Sequence, residues 1–200
     1  MSRHVQRSEV LPLGEYESIR EPFRARIIEE KKRRRVKLGD RVTVLFESHD
    51  TVLLQVQEML RTERISRENA IAHEIETYNA LLGGPDDLGA TLMIEIEDND
   101  ERVRFMKAAK GLASAVSLTI GSSVLQATID PARDHADRSS AVVYLLFALD
   151  EAARTTLGKI ERREIKQTDA TFRLGVDHPA YQATTDLPPE TVASLAGETS

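Results

Sequence analysis

Cysteine and tryptophan are absent from the 200 residues, and only five Phe and four Tyr are present. Without cysteine there is no disulfide framework, no thiolate for zinc or an iron–sulfur cluster, and no cysteine nucleophile. The scarcity of aromatics removes the stacking platforms on which single-stranded nucleic acid is bound. No apolar run approaches the roughly 18 to 20 residues that span a bilayer. The opening MSRHVQRSEV lacks the apolar stretch of a secretion signal. The expectation is a cytoplasmic protein with no membrane partner. The net charge of −6 makes nucleic acid an unfavourable partner, because such binding draws on counterion release by clustered cations. There is no P-loop, no Gly-x-Gly-x-x-Gly after a strand and no Gly-x-Ser-x-Gly elbow. No catalytic motif announces an enzyme, and no cofactor is expected from the composition.

What is present is an ordinary globular composition, 40% hydrophobic and 30% charged, sufficient for one domain with a full-sized core. Residues 1–12 have no periodicity and read as a flexible arm ending at Pro12. Residues 13–200 read as a single α+β domain, helical from about 13 to 84 and sheet-rich from about 90 to 200. From Gly14, the residues Tyr16, Ile19, Phe23 and Ile27 fall on one helical stripe. Pro22 leaves two options, a break between two helices or one helix kinked there. The ordered pairs Glu29/Arg33 and Glu30/Arg34 support helix to about Arg35. The run Lys31–Arg35 is either a site for a phosphate or an acidic partner or, more plainly, a solvated last turn that suits the helix dipole.

Gly39-Asp40 marks a turn, and Val42, Val44 and Phe46 alternate as a strand. A helical hairpin spans Glu47–Leu82 and ends at the breaker cluster Gly83–Asp87. Beyond it, Leu92, Ile94 and Ile96 alternate as a strand, followed by a helix over about Asn99–Leu112. A β-hairpin turns at Gly121-Ser122-Ser123. Asp130–Ser140 reads as a polar surface loop. Ala141–Leu149 is the longest apolar run and reads as a central strand covered on both faces. Asp150 caps a short helix through Leu157, and Gly158–Asp169 is a charged excursion of hairpin type. Strands at Phe172–Val176 and Tyr181–Asp186 precede a terminal helix begun by Pro188-Pro189. The sum is an α+β fold: N-terminal helices, including the hairpin, packed on a mainly antiparallel sheet of five to seven strands.

The hairpin holds the candidate chemistry. In its first helix, over about Thr51–Glu63, Val52, Val56 and Met59 make the apolar stripe, and Glu58 sits on the remaining face with Arg61 one turn on. In the second, Ser66 is the expected N-cap, and Ile71, Ile75, Tyr78 and Leu82 form the core stripe. Glu74 interrupts that stripe between Ile71 and Tyr78, an odd place for an acid. His73 points a quarter-turn away. Glu58, Glu74 and His73, with Glu47, His49 or Asp50 approaching from the preceding loop, are the candidate ligands of a transition metal. Yet neither Glu-x-x-His nor His-Glu-x-x-His occurs on these helices. The plainer reading is a polar network among Gln57, Glu58, Arg61, Glu74 and Tyr78 that fixes the hairpin's register. His178, just before Pro179, is a second candidate and more plainly a turn residue.

Together these residues resemble a known family. The pattern FE-x-x-DT-x-x-x-Q-x-QEM-x-R at Phe46–Arg61, with HEIETYNALLGG at His73–Gly84, ATLMIEI at Ala90–Ile96 and VDHPAYQA at Val176–Ala183, is similar to the bacterial domain of unknown function 3501. The resemblance covers most of the chain, is strongest from Tyr16 to Glu97, and fits least at Gly158–Asp169. Members are often encoded beside a rubrerythrin-like protein and an iron–sulfur protein related to heterodisulfide reductase subunits. The resemblance therefore implies an accessory or partner-binding role in a bacterial redox or peroxide-defence system, with a homodimer as a further expectation. It assigns no catalytic residues.

Overall fold

The computed structural model describes residues 3–129 and 139–198. The loop read at Asp130–Ser140 therefore lies outside the described residues over positions 130–138. Helix α1 (Leu13–Arg34) runs unbroken through Pro22, so the one-helix option holds. Proline removes one hydrogen bond to the carbonyl four residues earlier. Both Pro22 and Ser18 are exposed, which leaves the freed carbonyl to water. The helix stops one residue before the expected point, because Val36 and Leu38 turn inward in a short strand, β1 (Arg35–Leu38), with Arg35 and Lys37 facing out.

The chain continues through β2 (Val42–Phe46), α2 (His49–Thr62), α3 (Glu68–Asn79), β3 (Asp87–Ile94) and α4 (Asn99–Ala108). Strands β4 (Val116–Ile120), β5 (Ser123–Gln126) and β6 (Val142–Ala148) lead to α5 (Glu151–Glu161), then β7 (Phe172–His178), β8 (Tyr181–Asp186) and α6 (Pro189–Ala196). The α+β class and the antiparallel pairing stand. The strands divide into two four-stranded sheets, ordered β1-β2-β3-β6 and β5-β4-β7-β8.

Register aligns the apolar rows. Val36, Val44, Leu92 and Val143 lie abreast across the first sheet, and Leu125, Leu118 and Leu174 across the second. These rows belong to one hydrocarbon core that also takes in Phe46, Phe147, Ile120 and Val176. Each such side chain removed from water contributes about 1.5–3 kcal/mol. The sheets also meet at their edges. On one side Thr128 and Leu146 exchange both main-chain hydrogen bonds, at 2.8 and 2.9 Å. On the other, the Tyr181 hydroxyl donates to the Leu38 carbonyl at 2.7 Å and accepts from the Arg41 N–H at 3.1 Å. That contact needs Gly39, which adopts φ +75° and whose Cβ would collide with the Tyr181 hydroxyl.

Two expectations change. β6 ends its sheet instead of sitting at the centre, and its burial alternates, with Leu145 and Phe147 inside and Val142 and Ala148 exposed. Its continuous apolar run arises because Tyr144, on the outward face, packs against the hairpin. The strands covered on both faces are β2 and, from Leu88 to Leu92, β3. The excursion at Gly158–Asp169 is not a hairpin: α5 carries on to Glu161, and a 3-10 turn covers Gln167–Asp169.

Helices α2 and α3 pack on each other around Val52, Val56, Leu60, Ile71 and Ile75. They lie close to the sheet at Gly89, where a Cβ would sit 1.8 Å from the Leu81 carbonyl oxygen. The segment read as a flexible arm is docked here: Val5 and Val10 are 1% and 4% exposed within this second core.

Candidate functional site

The hairpin begins with a cap that the helical stripes do not reveal. The Ser48 side chain accepts from the Thr51 N–H while the Thr51 hydroxyl accepts from the Ser48 N–H, so α2 starts at His49, two residues before the expected Thr51. Helix α3 starts at Glu68, with Arg67 and not Ser66 in the cap position.

Glu47, just ahead of the cap, is 3% exposed. Its carboxyl group receives the hydroxyls of Thr51 and Thr91, each at 2.5 Å, and the Gln55 amide at 3.2 Å. Thr91 belongs to β3, so this buried knot ties hairpin to sheet. Beside it, buried Arg34 donates to the Glu47 carbonyl at 3.2 Å and to Glu198 at 2.5 Å. Glu30 lies 3.3 Å from Arg34 and accepts from the Ser48 hydroxyl.

Glu58 faces α1. It receives Arg20 through two bonds, at 2.7 and 2.9 Å, and the Tyr16 hydroxyl at 2.6 Å. The Arg20 hydrogen bonds, opposed by partial burial and aided by Tyr16, hold the Glu58 carboxyl down to about 2. Burial and the bond to Glu58 push the Tyr16 phenol well above its ordinary value. Arg61, the expected partner of Glu58, instead pairs with Glu17 at 2.7 Å.

His49 stands between two carboxylates, Nε2 at 3.0 Å from Glu9 and Nδ1 at 3.0 Å from Asp50. With an acceptor at each nitrogen, the ring is served best as imidazolium, both nitrogens donating. Burial alone would lower its pKa, but the bonds to Asp50 and Glu9 raise it above the ordinary histidine value. Asp50 also receives Arg26 at 2.5 Å.

The nominated ligands are thus not gathered. Glu47, Glu58 and His49 each serve a different cluster. His73 is exposed, and Glu74 is half-buried on α3, with no hydrogen bond or ion pair to another described residue. Among the described residues, no group of three His, Asp or Glu side chains is arranged to hold a metal ion. The expected single network is likewise split: Gln57 holds the arm, Glu58 and Arg61 hold α1, and Tyr78 packs in the hairpin core. The basic run is dispersed too, with Lys32 on Glu29, Arg34 turned inward and Arg35 at 3.3 Å from Glu95. His178 is the last residue of β7, at the edge of the turn to β8, its Nε2 donating to the Lys110 carbonyl at 2.9 Å and its Nδ1 accepting from the Ala180 N–H at 3.2 Å.

A cavity of about 240 Å³ opens at the β5–β6 edge, lined by Ala80, Leu81, Ala113, Val142, Val143 and Leu146 among others. None of the clustered charges lines it, its lining is mainly apolar, and cavities of roughly 150 Å³ already admit a benzene-sized group.

The family described as Protein of unknown function (DUF3501) matches residues 4–199. The chain belongs to this family. A crystal structure of a protein of unknown function from Burkholderia pseudomallei is 33% identical to this DUF3501 protein, with a TM-score of 0.87 over 98% of this chain and 99% of that one. Among curated proteins none matches. No helix among the described residues is long and apolar enough to cross a membrane. Asn79, Arg20 and Thr91 carry no signal in the sequence, and Tyr16 shows there only as part of an apolar stripe. Their partners lie in other elements, so no spacing along the chain announces them.

Proposed function

We propose that this DUF3501 protein is an accessory protein that binds another protein and performs no chemistry of its own. The observation that carries this reading is where the hairpin's polar groups point. Glu47 turns to two threonine hydroxyls, Glu58 to Arg20 and Tyr16, and His49 to Glu9 and Asp50. Each serves the fold, whereas a catalytic group must be aimed at a substrate. The apolar cavity beside β6, with Val142 47% exposed at its edge, supplies the kind of socket in which a partner's anchor side chain is buried. The partners that the family resemblance implies are a rubrerythrin-like protein and an iron–sulfur protein of a bacterial peroxide-defence system in the cytoplasm.

Anaerobic co-elution of the purified chain with each of these two proteins from the same organism tests the reading. The expected result is a complex that Val143→Asp, inside the cavity, weakens at least tenfold. Absence of a complex with either protein would overturn it.

A further inference from the structure

Two carboxamides of the hairpin grip main chain in the same manner. Asn79, at the end of α3, accepts from the Val5 N–H at 2.8 Å and donates to the Val5 carbonyl at 3.0 Å. Gln57, buried on α2, accepts from the Leu11 N–H at 2.6 Å and donates to the Leu11 carbonyl at 3.3 Å. A carboxamide that pairs with both groups of one residue holds backbone whatever side chain that residue carries. Main-chain bonds then give affinity, and side-chain pockets give specificity.

Between the two clamps the side chains are read. Val5 and Val10 sink among Val52, Val56, Leu60, Ile71 and Ile75. Arg7 makes two bonds with Glu68 at the start of α3, at 2.8 and 2.7 Å. His4 reaches the Gly83 carbonyl at 2.7 Å, and Glu9 meets His49. The backbone is extended at Gln6 and Val10, on either side of a 3-10 turn. The result is a groove with a ligand seated in it: a clamp at each end, two apolar sockets, and an acidic contact for an arginine between them. The covalent join to the rest of the chain is the short stretch at Pro12, immediately before α1.

We propose that the α2–α3 hairpin is a peptide-binding groove, and that the arm of one copy docks in the groove of a second copy. A second copy is the occupant because it carries the one sequence whose fit to this groove is seen contact by contact. The same clamps and sockets stand in every copy, so an arm released at Pro12 meets them in its own chain or in another, and joint geometry and concentration set the balance. The inference stands apart from the accessory-protein reading: it would hold with no foreign partner, and its failure would leave that reading intact.

Two full-length variants separate arm from groove. Val5→Asp with Val10→Asp spoils the arm and leaves the groove; Gln57→Ala with Asn79→Ala does the reverse. Each alone is expected to run as a monomer in light scattering. Mixed, they are expected to form a one-to-one heterodimer, the sound arm of one in the sound groove of the other. A mixture that stays monomeric while both variants melt cooperatively overturns the proposal. Should a core-facing variant fail to fold, the absence of cysteine allows a second measurement. Full-length Arg7→Cys and Glu68→Cys chains, both altered at exposed positions, are mixed and treated with a short bis-maleimide. Exchange predicts a 7–68 heterodimer well above the statistical share, and a heterodimer at the statistical share overturns it.

Discussion

The space between the two sheets and the space beneath the helical hairpin are filled in opposite ways. The first holds hydrocarbon: Phe46, Phe147, Leu92, Leu118 and their neighbours, aligned by register. The second has a smaller apolar centre ringed by directed polar ties, from Glu47 to the sheet, Glu58 to α1, and Gln57, Asn79, His49 and Glu68 to the arm. Hydrocarbon burial is strong and tolerant of small shifts, whereas a hydrogen-bonded ring is weaker in net energy and strict in geometry. The sheets are therefore expected to make the scaffold, and the hairpin layer to open at the lower cost.

The strongest way to break the contrast is from the scaffold side. Phe147→Ala, at a side chain fully buried between the sheets, is expected to destabilise the whole chain by about 3–5 kcal/mol. Denaturant unfolding should then show every probe moving together. Glu47→Ala strands the Thr91 hydroxyl, leaves the Thr51 hydroxyl with the Ser48 carbonyl as its acceptor, and is expected to cost about 2 kcal/mol. Here hydrogen exchange should quicken in α2 and α3 while β4 and β7 keep their protection. Equal loss in both regions would erase the distinction.

Acidity sharpens the picture further. The Glu58 carboxyl is held below its ordinary value, down to about 2. Its stabilisation is therefore present above about 4.5 and is lost as pH falls towards 2. Melting temperatures recorded across that window should fall less steeply for Glu58→Gln than for the unmodified chain. The smallest effect belongs to His49. Its pKa is raised, so its contribution is complete below about 6.5 and fades as pH climbs through the folded value. Glu9 and Asp50 are lowered, so theirs is complete above their ordinary values of 4.5 and 3.8. The arm is thus clasped most firmly between about pH 4.5 and 6.5, and His49→Gln should flatten the decline in melting temperature above that range.

The helical hairpin, the β-hairpin at Gly121 and the last two strands were legible because period and turn residues lie next to each other in the chain. Glu58, on a face that helix packing covers, needs Arg61 or another partner. Its partner was misplaced because Arg61 is the only one offered by helical spacing, and the packing of α1 on α2 brings Arg20 nearer. The rule that a long apolar run is central misled at β6, where the hairpin lends cover to an end strand. Glu74 interrupts the apolar stripe, yet within α3 only Ile71 and Ile75 are fully buried, and Glu74 is half-buried at the margin. The carboxamide clamps had no signal at all, since an Asn or Gln that grips main chain has no required spacing from its target.

The Tyr181 hydroxyl has a bearing on how the chain folds. It joins residues some 140 positions apart, so the entropy of closing that loop is met only when most of the polypeptide is already ordered. Local β-hairpins are expected to form before this seam closes. Tyr181→Phe is accordingly expected to leave the refolding limb of a chevron unmoved and to raise the unfolding limb. The hydroxyl would then govern how long the native state lasts, and not how soon it forms.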